Sequence, residues 1–134
     1  MKKIKHVHLI YPAGNKISTP DSIGRHLKQF LESHYQVSTY NYDEFKIIRP
    51  GSADALIGHW HPNPFTVFRL SAIKKDWRRI VALAPFCPDQ TAWQNAFANK
   101  IIDRCDRFLA ITGNYWMKNI NISPFKHWDP KIEH

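Results

Sequence analysis

Short apolar runs alternate along the chain with longer amphipathic stretches, and the two periods separate strands from helices. His6-Val7-His8-Leu9-Ile10-Tyr11 is rich in apolar and aromatic residues and is stopped by Pro12, so it predicts a first strand. After the polar segment 13–21, Asp21 or Ser22 can cap a helix whose apolar positions Ile23, Leu27, Phe30 and Leu31 fall on one face. Gln36 to Tyr42 alternates in the manner of a strand toward a sheet edge. Residues 43–52 show no clear period. Ala55-Leu56-Ile57-Gly58 is continuously apolar, as expected for a strand covered on both faces.

Asn63 followed by Pro64 predicts the start of a second helix running to about Lys75, with Phe65, Phe68, Ala72 and Ile73 inward. Ile80 to Ala84 reads as another buried strand. Asp89 can cap a helix in which Trp93, Phe97, Ile101 and Cys105 recur every fourth residue. Phe108 to Ile111 is a further strand, Thr112-Gly113-Asn114 ends it, and a short helix through Trp116 and Met117 follows. The expected fold class is therefore α/β, a Rossmann-like, doubly wound parallel sheet in a single domain over residues 1–118. Residues 119–134 read as a connector without a period.

In a parallel sheet all downstream strand ends point to one rim, and ligands of open α/β sheets bind there, where the strand order reverses. The loops expected at that rim carry Gly14, Asn15 and Lys16; His59, Trp60, His61 and Asn63; Cys87 and Asp89; and Asn114. His6 and His8 fall at the opposite edge and read as structural. His59 and His61 share a side of an extended segment, but His-x-His without a close acidic or thiolate partner is a weak metal signature. They can instead donate to a sugar hydroxyl or phosphate, or stiffen the crevice wall. Gly14 to Ser22 precedes a helix start, where a phosphate could meet backbone N–H groups; its Ser and Thr serve equally well as caps. It lacks both the dinucleotide and the Walker glycine patterns. Cys87 has no paired base in the sequence that would make it a nucleophile.

The 134 residues are 43% hydrophobic and 22% charged, a balance that folds, and no apolar run is long enough to span a bilayer. With only two cysteines and no signal-peptide pattern, a cytoplasmic location is the expectation. The formal charge of +8 favours anionic partners: nucleic acid, anionic lipid or phosphorylated small molecules. Lys74-Lys75-Asp76-Trp77-Arg78-Arg79 is the densest basic group, either a solvated turn or a patch for peripheral contact with an anionic membrane. No nucleic-acid motif is present, which disfavours that partner.

The segments "YPAGNKISTPDSIGRHL", "DALIGHWHP", "RRIVALAPFCPD" and "IIDRCDRFLAITGNYW" together resemble the N-terminal, acceptor-side half of glycosyltransferases of the GT-B fold. The resemblance spans Lys5 to about Met117 and rests on element order and on two strand motifs, "ADALIGHWH" and "CDRFLAITGNYWM". It implies transfer of a sugar from a nucleotide diphosphate to a hydroxyl acceptor, free or lipid-linked, with the nucleotide sugar held by a second domain or subunit. That domain would follow the 119–134 connector, and this chain would not complete turnover alone. No cofactor and no metal are expected. By position the resemblance places Gly14, Asn15 and Lys16 near the diphosphate, Trp60, Asn63, Asp89 and Asn114 around the acceptor, and His59 and His61 in the catalytic role. Two positions depart from the family pattern: Ala13-Gly14 supplies one glycine where relatives often have two, and Pro85-Phe86-Cys87-Pro88 stands where many have a histidine. The alternative is a basic α/β module binding nucleic acid or a phosphorylated ligand.

Overall fold

The computed structural model describes residues 3–12, 19–51, 53–59, 65–84, 104–110 and 132–133. Its elements in chain order are β1 (His6–Tyr11), α1 (Thr19–Glu32), β2 (Gln36–Asn41), β3 (Ala55–His59), α2 (Val67–Ser71), a 3₁₀ turn (Lys74–Asp76), β4 (Arg79–Ala84), β5 (Arg107–Ala110) and β6 (Ile132–Glu133). The strands form one sheet in the order β2-β1-β3-β4-β5-β6. Every neighbouring pair is parallel. The α/β class expected from the sequence is the class observed. β6 arises within the tail expected to be a connector and lies beside β5.

Register shows which side chains share a face, because successive residues of a strand point to opposite sides. Val7 pairs with Ala55 and Leu9 with Ile57. Val7, Ala55 and Leu31 of α1 form a buried cluster with Leu27, Val37 and Ile57 packed on it, so α1 covers this face. Ile10 pairs with Gly58 on the other face. A side chain at Gly58 would meet Ile10 and the ring of Phe68, which places α2 there. Helices thus lie on both faces, and β1 and β3 are both sandwiched; Leu9, Ile10 and Leu56 are wholly buried.

The glycine at position 24 sets how closely α1 approaches. A Cβ there would stand 2.5 Å from Cβ and Cδ2 of Tyr11 and closer still to its Cγ. The buried line of α1 accordingly runs through Gly24, Leu27 and Leu31. Phe30 was expected on the inward face, but at 100° per residue it lies roughly a quarter turn off that line and is 63% exposed.

The second helix is shorter than its periodicity suggests. Val67, Phe68, Ser71 and Ala72 are buried, whereas Phe65 precedes the helix and is exposed rather than inward. The helix stops at Ser71 because that residue's carbonyl accepts the indole N–H of Trp77 at 2.7 Å and the backbone N–H of Ile73 at 2.7 Å. Neither is the amide four residues on that a continuing helix would use. Cys105 was expected on a helix face, but it lies between the residues preceding β5 and is half-buried. Asp106 aligns the start of β5: its carboxylate accepts the Ile80 N–H at 2.8 Å while its own N–H donates to the Ile80 carbonyl at 2.8 Å.

Candidate functional site

The strand order reverses once. From β1 the chain moves outward one way to β2, then returns across β1 to β3 and continues the other way through β4 and β5. The downstream ends of β1 and β3 therefore flank the point of reversal, the place at which open α/β sheets bind their ligands. Tyr11 ends β1 and His59 ends β3. Continuing the Ile10–Gly58 register puts them side by side on the α1 face. Tyr42, just past β2, is tied to the end of β1 through its N–H on the Tyr11 carbonyl at 3.2 Å. Its ring meets His59 edge to face, with centroids 5.5 Å apart. His59 is 6% exposed and both of its ring nitrogens are shielded from solvent. At this rim the imidazole forms part of an aromatic wall.

Of the residues singled out in the sequence, His59 is the one whose position is described. Gly14, Asn15, Lys16, Trp60, His61, Asn63, Asp89 and Asn114 lie outside the described residues, as does Cys87. The parallel strands that carry their loops do point to the same rim.

A second constellation lies at the opposite edge, on the face covered by α2. His6 and His8 stand two apart on β1, so they share that face, and their rings stack with centroids 4.1 Å apart. His6 Nε2 is 2.7 Å from the Ser38 hydroxyl. His8 Nδ1 is 2.9 Å from the Tyr40 hydroxyl, and its Nε2 is 3.1 Å from Oδ2 of Asp54. Asp54 immediately precedes β3, and its backbone is pinned from both sides: its N–H donates to the Gly51 carbonyl, and its carbonyl accepts the Arg78 N–H. Trp77 closes the cluster with an edge contact to His8 at 5.3 Å. Burial, and secondarily the neighbouring His6, lower the His8 pKa against the opposing hydrogen bond from Asp54. Burial likewise raises that of Tyr40. Burial thus favours the neutral His8 ring, in which one nitrogen donates and the other accepts.

The sequence placed His6 and His8 at this upstream edge but did not connect them with Asp54, Ser38 and Tyr40. The i, i+2 histidines on a strand were the visible half of the signal. The partners come from β2 and from the residue before β3, and parallel register alone decides which residues those are.

The basic group divides between surface and core. Lys74, Lys75 and Arg79 are exposed. Trp77, considered above as part of a lipid-facing patch, is instead buried, its indole occupied by Ser71 and its ring by His8. Because these residues lead into the start of β4, their charge lies at the edge away from His59. Among the described residues, no helix is long and apolar enough to cross a membrane.

The fold defines an α/β protein with a parallel sheet whose strand order reverses between β1 and β3. No family model, curated protein or solved structure matches the chain.

Proposed function

We propose that the chain is the acceptor-binding, Rossmann-like domain of a GT-B glycosyltransferase. It would receive a sugar or lipid-linked hydroxyl acceptor at the β1/β3 crevice, while a second domain or subunit holds the nucleotide sugar. The observation that carries this reading is the reversal of strand order between β1 and β3, with His59 and Tyr42 at the rim and α1 leaving from the same edge. The part-exposed Tyr42 beside buried His59 offers apolar ring surface to a sugar, and His61, in the segment that continues from His59, offers a donor for hydroxyls. In this reading Gly14, Asn15 and Lys16 approach the donor diphosphate and stabilise the charge that develops on it as the glycosidic bond to phosphate breaks. His61, Trp60, Asn63, Asp89 and Asn114 contact the acceptor. His59 positions this loop from beneath.

The excess of positive charge suits a phosphate-bearing ligand. Titrating the full chain with nucleotide sugars, with mono- and disaccharide acceptors and with oligonucleotides, while following amide resonances by NMR, tests the proposal. Saccharide-dependent shifts at Gly58, His59 and Tyr42 that weaken in Trp60→Ala and His61→Ala are the expected result. Oligonucleotide binding with a steep salt dependence and no saccharide response would replace this reading with that of a nucleic-acid module.

A further inference from the structure

The upstream cluster supports an inference independent of the crevice. Donor atoms of His6, His8 and Asp54 all lie within 4.8 Å of one another. Two imidazoles and a carboxylate are a common ligand set for divalent transition ions. We propose that His6, His8 and Asp54 bind a divalent transition-metal ion, zinc being the ion this donor set suits best, with a fourth position left for water.

Three features of the geometry support the assignment. Zinc bonds of about 2.0 to 2.2 Å to nitrogen and oxygen place tetrahedral ligands roughly 3.3 to 3.6 Å apart. His8 Nε2 and Asp54 Oδ2 already stand at 3.1 Å. Only the half-buried His6, on the first residue of β1, has to swing inward. The outer partners are also in place. Ser38 and Tyr40 each hold a ring nitrogen of one histidine, as groups behind metal-bound imidazoles do to fix tautomer and ring orientation. The third feature is the rigidity of the scaffold: His8 sits in a central strand, and the Asp54 backbone is bonded on both sides.

Binding balances without a co-reactant. In the metal-free neutral ring the proton on Nε2 faces Asp54, and Nδ1 accepts from the Tyr40 hydroxyl. With the ion on Nε2, the ring carries its single proton on Nδ1 and donates it to Tyr40, whose oxygen can act in either sense. The His8–Asp54 hydrogen bond is exchanged for two bonds to the metal.

The test uses the full chain stripped with a chelator and titrated with zinc chloride against a chromophoric competitor. One equivalent should bind, with affinity falling by about tenfold or more in Asp54→Asn and His6→Asn and by a comparable factor in Tyr40→Phe. His26→Ala, on the exposed surface in the middle of α1, and His34→Ala, exposed just past its end, should leave it unchanged. Cobalt(II) at the same site should give the intense visible absorption of four-coordination, abolished by Asp54→Asn. Should a cluster variant fail to fold, the ring-proton resonances of His6 and His8 in the wild-type chain decide the matter, since zinc must shift both. No zinc binding, zinc binding untouched by His6→Asn and Asp54→Asn, or binding lost only in His61→Ala would each overturn the assignment and leave the cluster a hydrogen-bonded structural network.

Discussion

Replacing Gly24 by alanine opposes two effects of known sign. Within a helix, alanine is favoured over glycine by about 1 kcal/mol, so on propensity alone Gly24→Ala stabilises. The structure reverses that sign. The new methyl would overlap Cγ and Cβ of Tyr11, the stiff root of a side chain that is 6% exposed at the end of a central strand. Overpacking of this kind costs about 1 to 3 kcal/mol, and the upper end applies where the obstacle cannot rotate away. The expected balance is a net destabilisation of about 2 kcal/mol, a large fraction of the roughly 5 to 15 kcal/mol typical of a domain. At roughly 3 to 5 °C per kcal/mol for a chain of this size, the melting temperature should drop by about 6 to 10 °C. Urea unfolding monitored by circular dichroism measures the free energy directly. Gly51→Ala is the control, because nothing lies within 4 Å of a Cβ there. A double-mutant cycle sharpens the experiment: Tyr11→Ala removes Cγ and the ring but keeps the Cβ 2.5 Å away, so Gly24→Ala should cost less in that background than in the wild-type chain without becoming stabilising. If Gly24→Ala is as stable as wild type with Tyr11 intact, α1 does not lie against the end of β1, and the α1 wall of the crevice fails with it.

Other substitutions probe separate joints of the fold. Asp106→Ala strips the acceptor from the N–H of the fully buried Ile80, and should cost about 1 to 3 kcal/mol in urea unfolding; a loss below about 0.5 kcal/mol would discount the β4–β5 clamp. Trp77→Phe keeps an aromatic ring but loses part of the buried indole and with it the donor to Ser71, so a melting-temperature fall corresponding to at least about 1 to 2 kcal/mol is expected, with a shift in the His8 ring resonances; an unchanged melt refutes the hydrogen bond. Burial first, then Asp106, push the Cys105 thiol up to about 12. In a Cys87→Ser chain at pH 8, iodoacetamide should therefore modify native Cys105 roughly tenfold or more slowly than the urea-unfolded thiol. The same shift sets a direction for stability against pH: the folded chain retains a proton that the unfolded thiol gives up near 9, so this contribution is present below pH 9 and is lost as pH climbs from there toward 12. Equal alkylation rates in the two states would contradict both expectations.

The alternation of apolar runs with amphipathic stretches was sufficient to identify a parallel α/β sheet and to locate β1, α1, β2, β3 and β4 closely, because burial on both faces imprints itself on consecutive residues. It also placed His59 at the end of β3 and His6 and His8 at the start of β1. Local pattern could not reveal that α1 leans on Tyr11 through Gly24, nor that α2 ends at Ser71, since both depend on contacts with residues remote in sequence. Phe30 and Phe65 illustrate the same limit: hydrophobic character marks them as candidates for the core, but helix phase and helix start leave both in solvent.

What the residues alone determined, then, is the class of fold and the direction in which each strand delivers its loop. Tertiary structure decided the neighbours. Whether Asp54 meets His8, whether Tyr40 stands behind it and whether Tyr42 reaches His59 all follow from strand order and register. Those are set by the packing of the whole sheet, and a chain read one segment at a time carries no record of which distant strand lies next to it.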